Sequence, residues 1–507
     1  MSNKIEQQTI NNAVWNACDT FRGTVDAGQY KDYILIMLFL KYVSDTWNSK
    51  IEEYKKQFGD DTKRINRRME NERFIVPQGA SFYDLVDKIQ QTNLGEEFDI
   101  ALAKLEDANK EKLDGVFRNI SFNNEANLGK TKDRNKRLQH LLNDFNCENL
   151  KLTPDVVQED VIGEAYMYLI EKFGSDAGKK AGEFYTPSAV STLVAKLANA
   201  QSGYTIYDPT CGAGTLLVKT ANEIESNNYS LYGQEVNGQT WAMCRMNMFL
   251  HNMDNADVHW GNTLSEPAIL ENDSLKQFDV VVANPPFSLD KWGAENASSD
   301  NFKRFWRGVP PKSKGDYAFI SHMIESAKRQ SGRAVVVVPH GVLFRGASEG
   351  KIRTSLIEEN LLDAVIGLPA GMFTTAAIPV AIVIFDRSRE QGGKNANRDD
   401  IMFIDASREF DGSKKQNRLT PEHINKIYDT YMNRTELEKY SRPVPISEIK
   451  ENEYNLNIPR YIDTFEEEEE IDLDSVVAEI ERLNKDMEEV NKEIARNCAE
   501  LGIKSPV

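Results

Sequence analysis

The chain has 507 residues, a formal net charge of −18 and a pI near 5.0. This length predicts two or three domains, and an acidic chain is a poor DNA binder on its own because phosphate neutralisation supplies most non-specific affinity. The five cysteines show no C-x-x-C spacing and the six histidines no H-E-x-x-H pattern, so no metal site or disulfide framework is predicted. The early apolar run at residues 34–40 is too short to span a bilayer, and no signal peptide is evident. We therefore expect a cytoplasmic protein with reduced thiols.

Residues 1–155 have the pattern of a helical domain. Apolar residues recur every three or four positions, for example over residues 33–47 and 135–145, and strand-like runs are few. No chemistry-bearing motif stands out in this part of the chain. Residues 156–465 instead alternate short apolar strands with helices, which predicts an α/β domain built on a parallel sheet.

The first predicted strand of the α/β region, residues 204–207, leads into a loop with two glycines. Asp208 ends the strand, and Gly212, Ala213 and Gly214 lead into a predicted helix. Glycines at these positions let a ligand approach the backbone closely, and a strand–loop–helix unit of this kind binds nucleotide-like ligands. The third glycine of a dinucleotide-binding fingerprint is missing.

Two further predicted strands also end in polar residues. Glu235 ends the strand at residues 231–235, and Asn262 follows the strand at residues 257–260. An acidic residue about 20 positions beyond the glycine loop is placed to hold ribose hydroxyls. Asn262 is placed to bond the edge of an adenine ring.

A fourth predicted strand, residues 278–283, ends in Asn284, Pro285, Pro286 and Phe287. Two consecutive prolines exclude both helix and ladder pairing, so the backbone is held in one conformation. The Asn284 amide oxygen and the Pro285 carbonyl are two acceptors beside the flat face of Phe287. The arrangement suits a planar ring with an exocyclic amino group, such as adenine, although these four residues alone would also make an ordinary turn.

Later strands are predicted at residues 333–338, 363–368 and 381–385. His340 follows the first of them, and we interpret it as structural because a loop histidine after a strand is seldom a base. At the end of the chain, apolar residues between Leu473 and Leu501 follow alternating spacings of three and four, which is a heptad pattern. It predicts a coiled-coil-type helix, and its length favours an intermolecular partner over packing on its own domain.

Taken in order, the motifs around Asp208, Glu235, Asn262 and Asn284 resemble those of S-adenosylmethionine-dependent amino-methyltransferases that act on DNA. Residues 182–187 resemble the additional cofactor motif of that class. Over nearly the whole chain, the resemblance tightens to the modification (M) subunits of type I restriction-modification systems. It implies a Rossmann-like methyltransferase domain, S-adenosylmethionine as cofactor and the 6-amino group of adenine as methyl acceptor.

The resemblance also assigns roles to individual residues. The implied catalytic residues are Asn284, Pro285, Pro286 and Phe287, and Phe373 resembles a second aromatic that stacks on the flipped base. The implied cofactor-binding residues are Glu183, Phe184, Tyr185, Thr186, Pro187, Asp208, Gly212, Ala213, Gly214, Glu235 and Asn262.

Several of these assignments have structural alternatives. Thr186 and Pro187 also fit a helix start, as N-cap and first-turn residue. Phe373 is equally placed to be a core residue. Asp316 and Tyr317 are placed to line the pocket, but Asp316 equally fits a helix N-cap.

The resemblance implies a division of the chain at residues 1–155, 156–465 and 466–507, the last being a tail that docks on a specificity (S) subunit. It also implies DNA and a restriction (R) subunit as partners, with two M subunits for one S subunit, in a bacterial or archaeal cytoplasm. Two alternatives remain open, a protein glutamine methyltransferase and a non-catalytic cofactor-binding scaffold. A cytosine carbon-5 enzyme is disfavoured, because none of the cysteines follows a proline.

Overall fold

The structure is a computed structural model of the chain. It describes residues 5–22, 25, 27–153, 156–157, 159–176, 186–373, 379–412, 416–464 and 473–506. The chain divides into two compact units, Met1–Ile462 and Asp463–Val507. Among the described residues, no helix combines the length and apolarity that crossing a membrane would require.

The first part of the larger unit is helical, and its described residues before 177 contain no strand. The predicted helical stretches 33–47 and 135–145 fall within the second and eighth of its α-helices. These helices are α1 (Gln7–Ala17), α2 (Ala27–Phe58), α3 (Thr62–Met69), α4 (Phe82–Asp87), α5 (Leu94–Ala108), α6 (Lys110–Leu113), α7 (Glu125–Leu128), α8 (Thr131–Phe145) and α9 (Glu159–Asp176).

The second part of the larger unit contains a nine-stranded sheet and a separate two-stranded hairpin formed by the fourth and fifth strands. The strands are β1 (Thr205–Asp208), β2 (Ser230–Glu235), β3 (Asp257–Trp260), β4 (Leu270–Glu271), β5 (Ser274–Leu275), β6 (Val280–Ala283), β7 (Arg333–Pro339), β8 (Leu362–Gly367), β9 (Val380–Asp386), β10 (Asp400–Asp405) and β11 (Ser441–Pro445). The order across the large sheet is β11-β10-β8-β9-β7-β6-β1-β2-β3.

The sheet is mixed, and this corrects the prediction of a parallel sheet. Strands β3, β2, β1, β6 and β7 are parallel neighbours, but β9 is antiparallel to both β7 and β8. Residues 368–379 connect β8 to β9, and the described residues of this connection contain no helix, whereas a parallel return is normally built around one. Strands β10 and β11 were not predicted. The prolines Pro443 and Pro445 of β11 are tolerated because it is an edge strand.

Helices cover both faces of the sheet. Val280 and Val282 of β6 join one core, whereas Val281 and Ala283 join a second core on the opposite face, as the period of two in a strand requires. The helices of this part are α10 (Ser188–Ala198), α11 (Thr215–Asn222), α12 (Gly238–Leu250), α13 (Asp316–Glu325), α14 (Gly341–Phe344), α15 (Ala347–Glu358), α16 (Pro421–Asn433) and α17 (Ile446–Glu451).

The helical region packs against α12 of the α/β part. The rings of Phe74 and Phe249 meet edge to face with centroids 5.4 Å apart. Arg73 Nε donates to Asp254 Oδ2 over 2.7 Å just beyond α12. The helical region is therefore fixed to the helix that follows β2, one of the strands whose ends carry predicted site residues.

The smaller unit contains one long helix in its described part, α18 (Leu473–Glu500). Its predicted apolar seam is not covered by its own unit, since Leu483, Met487 and Val490 are each more than half exposed. An apolar stripe of this kind lacks an intramolecular partner among the described residues of its own unit.

Candidate active site

Four polar residues gather where adjacent parallel strands end. Asp208 is the last residue of β1 and Glu235 the last of β2, while Asn262 and Asn284 follow β3 and β6. Because β6, β1, β2 and β3 are parallel neighbours, these ends lie along one edge of the sheet. Open α/β sheets bind their ligands at this edge.

Both glycines of the loop between β1 and α11 have left-handed backbone, and Gly214 also has no room for a side chain. Gly212 and Gly214 have φ of +55° and +83°, and a Cβ on Gly214 would lie 2.5 Å from Met248 Cε. The Gly212 N–H donates to Glu235 Oε2 over 3.0 Å, and Asn247 Nδ2 donates to the Ala213 carbonyl over 2.9 Å. The loop is therefore held against the sheet edge from two sides. The contact of Asn247, which lies in α12, was not anticipated.

The two carboxylates of the site are buried. Asp208 is 1% exposed, and burial together with the nearby charge of Glu235 raises the pKa of Asp208 to about 8. Burial also raises the pKa of Glu235, although its Oε1 accepts from Asn237 N over 2.8 Å. A carboxyl oxygen that accepts one hydrogen bond can accept a second, and a protonated carboxyl group keeps acceptor capacity, so both side chains can accept from a ligand with hydroxyl donors.

Asn262 is exposed, and its Oδ1 accepts from Leu264 N over 2.9 Å and from Ser265 N over 3.3 Å. The side chain thus stabilises the turn that follows β3. Because Oδ1 already accepts two hydrogen bonds, the Nδ2 group of Asn262 would make the contact with the edge of a bound ring.

The Asn284 amide is oriented by Thr186. Asn284 Nδ2 donates to Thr186 Oγ1 over 3.0 Å, while Asn284 Oδ1 is buried and has no hydrogen-bond partner among the described residues. Buried acceptors are rarely left unpaired, so this oxygen is a candidate ligand contact. The N-cap alternative for Thr186 was wrong: α10 begins at Ser188 with Pro187 as N-cap and no side-chain cap.

The two aromatic residues assigned to base stacking lie together. The rings of Phe287 and Phe373 meet at 69° with centroids 5.6 Å apart. Phe287 is half-buried and Phe373 is 5% exposed. The fold therefore joins the aromatic residue after the two prolines to one that follows β8.

Asp316 holds the backbone that leaves the Asn284–Phe287 segment. Its Oδ1 accepts from Ser288 N over 2.8 Å, and its Oδ2 pairs with Arg345 Nη2 at 2.5 Å. Ser288 has a φ of +52°, so this hydrogen bond holds a left-handed residue. The N-cap alternative for Asp316 was wrong, because Gly315 is the N-cap of α13 and Asp316 is its first residue.

Two other residues considered from the sequence have structural surroundings. Tyr317 is 2% exposed and its hydroxyl donates to the Val342 carbonyl, so it lies in the core and does not line the pocket. His340 Nε2 lies 3.2 Å from the Val380 carbonyl, and burial lowers the pKa of its ring. The cofactor-binding predictions Glu183, Phe184 and Tyr185 lie outside the described residues.

Protein-family models and curated relatives match nearly the whole chain. Residues 157–470 match the family model of N-6 DNA methylases, and residues 10–145 match that of the HsdM N-terminal domain. The chain is 30% identical to the MpnII type I restriction enzyme methylase subunit of Mycoplasma pneumoniae, over 97% of this chain and 96% of that protein. It is 32% identical to the MjaVIII type I methylase subunit of Methanocaldococcus jannaschii, over 95% and 83% of the two chains.

The fold has a counterpart among solved structures. The type I restriction-modification methyltransferase subunit from Streptococcus thermophilus superposes with a TM-score of 0.79 at 33% identity, covering 91% of this chain and all of that one. The predicted fold class, a Rossmann-like methyltransferase domain with a helical N-terminal domain, is confirmed.

Proposed function

Because the chain belongs to the N-6 DNA methylase family, as a methylase subunit of type I restriction enzymes, we propose that it transfers a methyl group from S-adenosylmethionine to N6 of adenine in DNA. The observation that carries the proposal is the buried Asn284 Oδ1, which lacks a protein partner among the described residues. It lies at the sheet edge where this fold binds ligands.

The adenine amino group is a weak nucleophile, since its lone pair is delocalised into the ring. Asn284 Oδ1 and the Pro285 carbonyl would accept its two hydrogens, which favours a pyramidal nitrogen with a localised lone pair. These hydrogen bonds strengthen as positive charge develops on nitrogen, so they stabilise the transition state more than the ground state. The target base must leave the duplex to reach this site, and Phe287 and Phe373 would stack on it.

The residues at the neighbouring strand ends fit S-adenosylmethionine, which would supply an electrophilic methyl group on its sulfonium. The Glu235 carboxylate would accept the ribose hydroxyls, and Asn262 would contact the adenine edge. The glycine loop would pass close to the ligand, with Asp208 beside it. Residues 183–187 would complete this half of the site.

The two alternative functions, a protein glutamine methyltransferase and a non-catalytic cofactor-binding scaffold, are less well supported. A glutamine methyltransferase shares the need for two acceptors, but the family match extends over the helical residues 10–145 as well. A non-catalytic scaffold would not need a buried amide oxygen left without a partner among the described residues. Both remain distinguishable by which substrate, if any, receives the methyl group.

We further propose that the target sequence is read by a separate S subunit shared by two M subunits, with an R subunit in the full complex. The charge of −18 supports this division, because such a chain gains little from phosphate neutralisation by itself. The exposed apolar seam of α18 is the proposed docking surface, and residues 466–507 form the corresponding tail.

The function is tested by methyl transfer from labelled S-adenosylmethionine to DNA that lacks the modification, with the protein alone and with its S subunit. Label in N6-methyladenine that requires the S subunit and falls by about 10²–10³ in Asn284→Ala is the expected result. Asn284→Ala should retain cofactor binding. Cofactor binding without DNA methylation under either condition, or label in protein, would reject the proposal.

Docking through α18 is tested by pairing two substitutions. Leu483→Asp with Val490→Asp places charges in the exposed seam and should abolish co-purification with the S subunit, while leaving cofactor binding unchanged. Glu481→Gln with Glu488→Gln changes exposed charges of the same helix and serves as the control. If both double variants co-purify equally with the S subunit, α18 is not part of the interface.

A further inference from the structure

Residues 288–292 and 311–315 lie side by side directly after the Asn284–Phe287 segment, and we call them the lysine ledge. Lys291 N donates to the Lys312 carbonyl over 3.1 Å, and Gly315 N donates to the Leu289 carbonyl over 2.9 Å. Trp292 Nε1 adds a bond to the Pro311 carbonyl over 2.9 Å. Three hydrogen bonds between these two five-residue segments hold the ledge in one conformation.

The ledge is joined to the catalytic segment. It begins at Ser288, the residue after Phe287, and Asp316 holds that residue through its backbone N–H. Four residues of extended chain span at most about 14 Å, so the Cα of Lys291 lies within that distance of the Cα of Phe287. This is the axial length of about four base pairs of DNA.

The charge of the ledge is opposite to that of the chain. Lys291, Lys312 and Lys314 are balanced within the two segments only by Asp290, although the protein as a whole has a net charge of −18. Lys291 and Lys312 are exposed and Lys314 is half-buried. Within the described part of the chain, none of the three has a carboxylate within 4.0 Å.

Nearby arginines differ in this respect. Arg304 pairs with Asp300, Arg307 with Glu325 and Glu359, and Arg345 with Asp316 and Glu349. These cations are committed to the fold, whereas the ammonium groups of the ledge are available to an external anion. An ammonium group on a flexible stem suits a phosphate as a point charge.

We propose that the lysine ledge binds the DNA backbone next to the flipped adenine and positions the strand for the Asn284 site. This inference rests on the proposed function. Phosphate contacts fix register and orientation without reading bases. The ledge would therefore provide the M subunit's own contact to DNA, close to the chemistry and independent of sequence recognition by a partner.

The test compares two triple variants in the complex with the S subunit. Lys291→Gln, Lys312→Gln and Lys314→Gln remove the charge of the ledge. The control removes the same charge at three exposed lysines that flank β10 and β11. Three other strands of the sheet lie between β10 and β6, so these lysines are far from the ledge along the sheet. The control substitutions are Lys394→Gln, Lys439→Gln and Lys450→Gln.

The measured quantities are DNA affinity as a function of salt, KM for DNA, kcat at saturating DNA and affinity for S-adenosylmethionine. Loss of three phosphate contacts should reduce the slope of log affinity against log salt by about 2–3 and raise KM for DNA at least about tenfold near 0.15 M salt. The control should match the wild type. Both variants should keep cofactor affinity within about twofold, and the control should also keep kcat within about twofold.

A slope equal to that of the control would overturn the inference. So would a loss of kcat at saturating DNA together with weaker cofactor binding, because the lysines would then support the folding of the catalytic segment. If the wild-type complex binds DNA without methylating adenine, the proposed function fails, while the salt slopes still decide whether the ledge binds phosphate.

Discussion

Asn284 Nδ2 donates to Thr186 Oγ1 over 3.0 Å, so a hydroxyl 98 positions earlier in the chain binds the NH₂ end of the amide and leaves Oδ1 without a partner among the described residues. Without that acceptor, the amide could rotate and present its NH₂ group to the substrate amino group, where two donors would oppose each other. The orientation of one side chain by another is therefore as important as the identity of Asn284.

Thr186→Val removes the hydroxyl while keeping the branched shape. We expect kcat to fall at least about tenfold, because an unsatisfied buried donor costs about 1–3 kcal/mol and the amide loses its preferred orientation. Thr186→Ser, which retains the hydroxyl, should restore most of the rate. A rise in KM for S-adenosylmethionine with unchanged kcat in Thr186→Val would instead indicate a role in cofactor binding.

Asp316 is expected to act as a positioning residue. Asp316→Ala removes the acceptor for Ser288 N and the partner of Arg345, and should lower kcat by about 10² with cofactor affinity preserved. Asp316→Asn retains an acceptor oxygen and should keep more of the rate than Asp316→Ala. Glu349→Gln is the control, since it weakens the second partner of Arg345 without touching Ser288. Equal kcat loss in all three variants would contradict the prediction.

Phe373 should contribute to holding the flipped base. Stacking on an aromatic ring is worth about 1–3 kcal/mol per base by alanine substitution, so Phe373→Ala should raise KM for DNA by about 5- to 150-fold. Phe373→Tyr keeps the ring and is the control for folding. Fluorescence of 2-aminopurine at the target position reports flipping directly, and an unchanged signal in Phe373→Ala would assign the residue to the core.

The buried carboxyl group of Asp208 makes the free energy of unfolding depend on pH. Its pKa of about 8 in the folded chain lies above the ordinary value, so the unfolded state loses the proton first as pH rises. The contribution of the protonated Asp208 to the free energy of unfolding is complete below about pH 4. It decreases progressively as the pH rises to about 8.

Asp208→Asn removes that dependence while keeping an acceptor for Thr210 N. The variant should gain stability relative to the wild type by up to about 1.4 kcal/mol per pH unit between pH 5 and 8, and no more above pH 8. Thermal unfolding of the cofactor-free proteins across this range is the measurement. A difference that does not change with pH would show that Asp208 is ionised throughout.

Much of the arrangement followed from local sequence. The polar residues Asp208, Glu235 and Asn284 each come directly after or at the end of an apolar run, and parallel neighbours must bring such ends to one edge. The heptad spacing likewise indicated the long exposed helix α18, since periodicity depends only on residues close in the chain.

Contacts between distant residues were decided by the tertiary structure alone. Residues close in the chain do not indicate that β9 pairs antiparallel with β7. Nor do they indicate that Thr186 accepts a hydrogen bond from Asn284, or that Asp316 accepts one from Ser288 N. For both Thr186 and Asp316 the sequence leaves a helix N-cap open as an alternative, because the residue type suits a cap and the actual partner lies far away in the chain. Strand ends and periodicities depend on neighbours in the chain, whereas the orientation of an amide depends on whichever atoms the fold brings within about 3 Å.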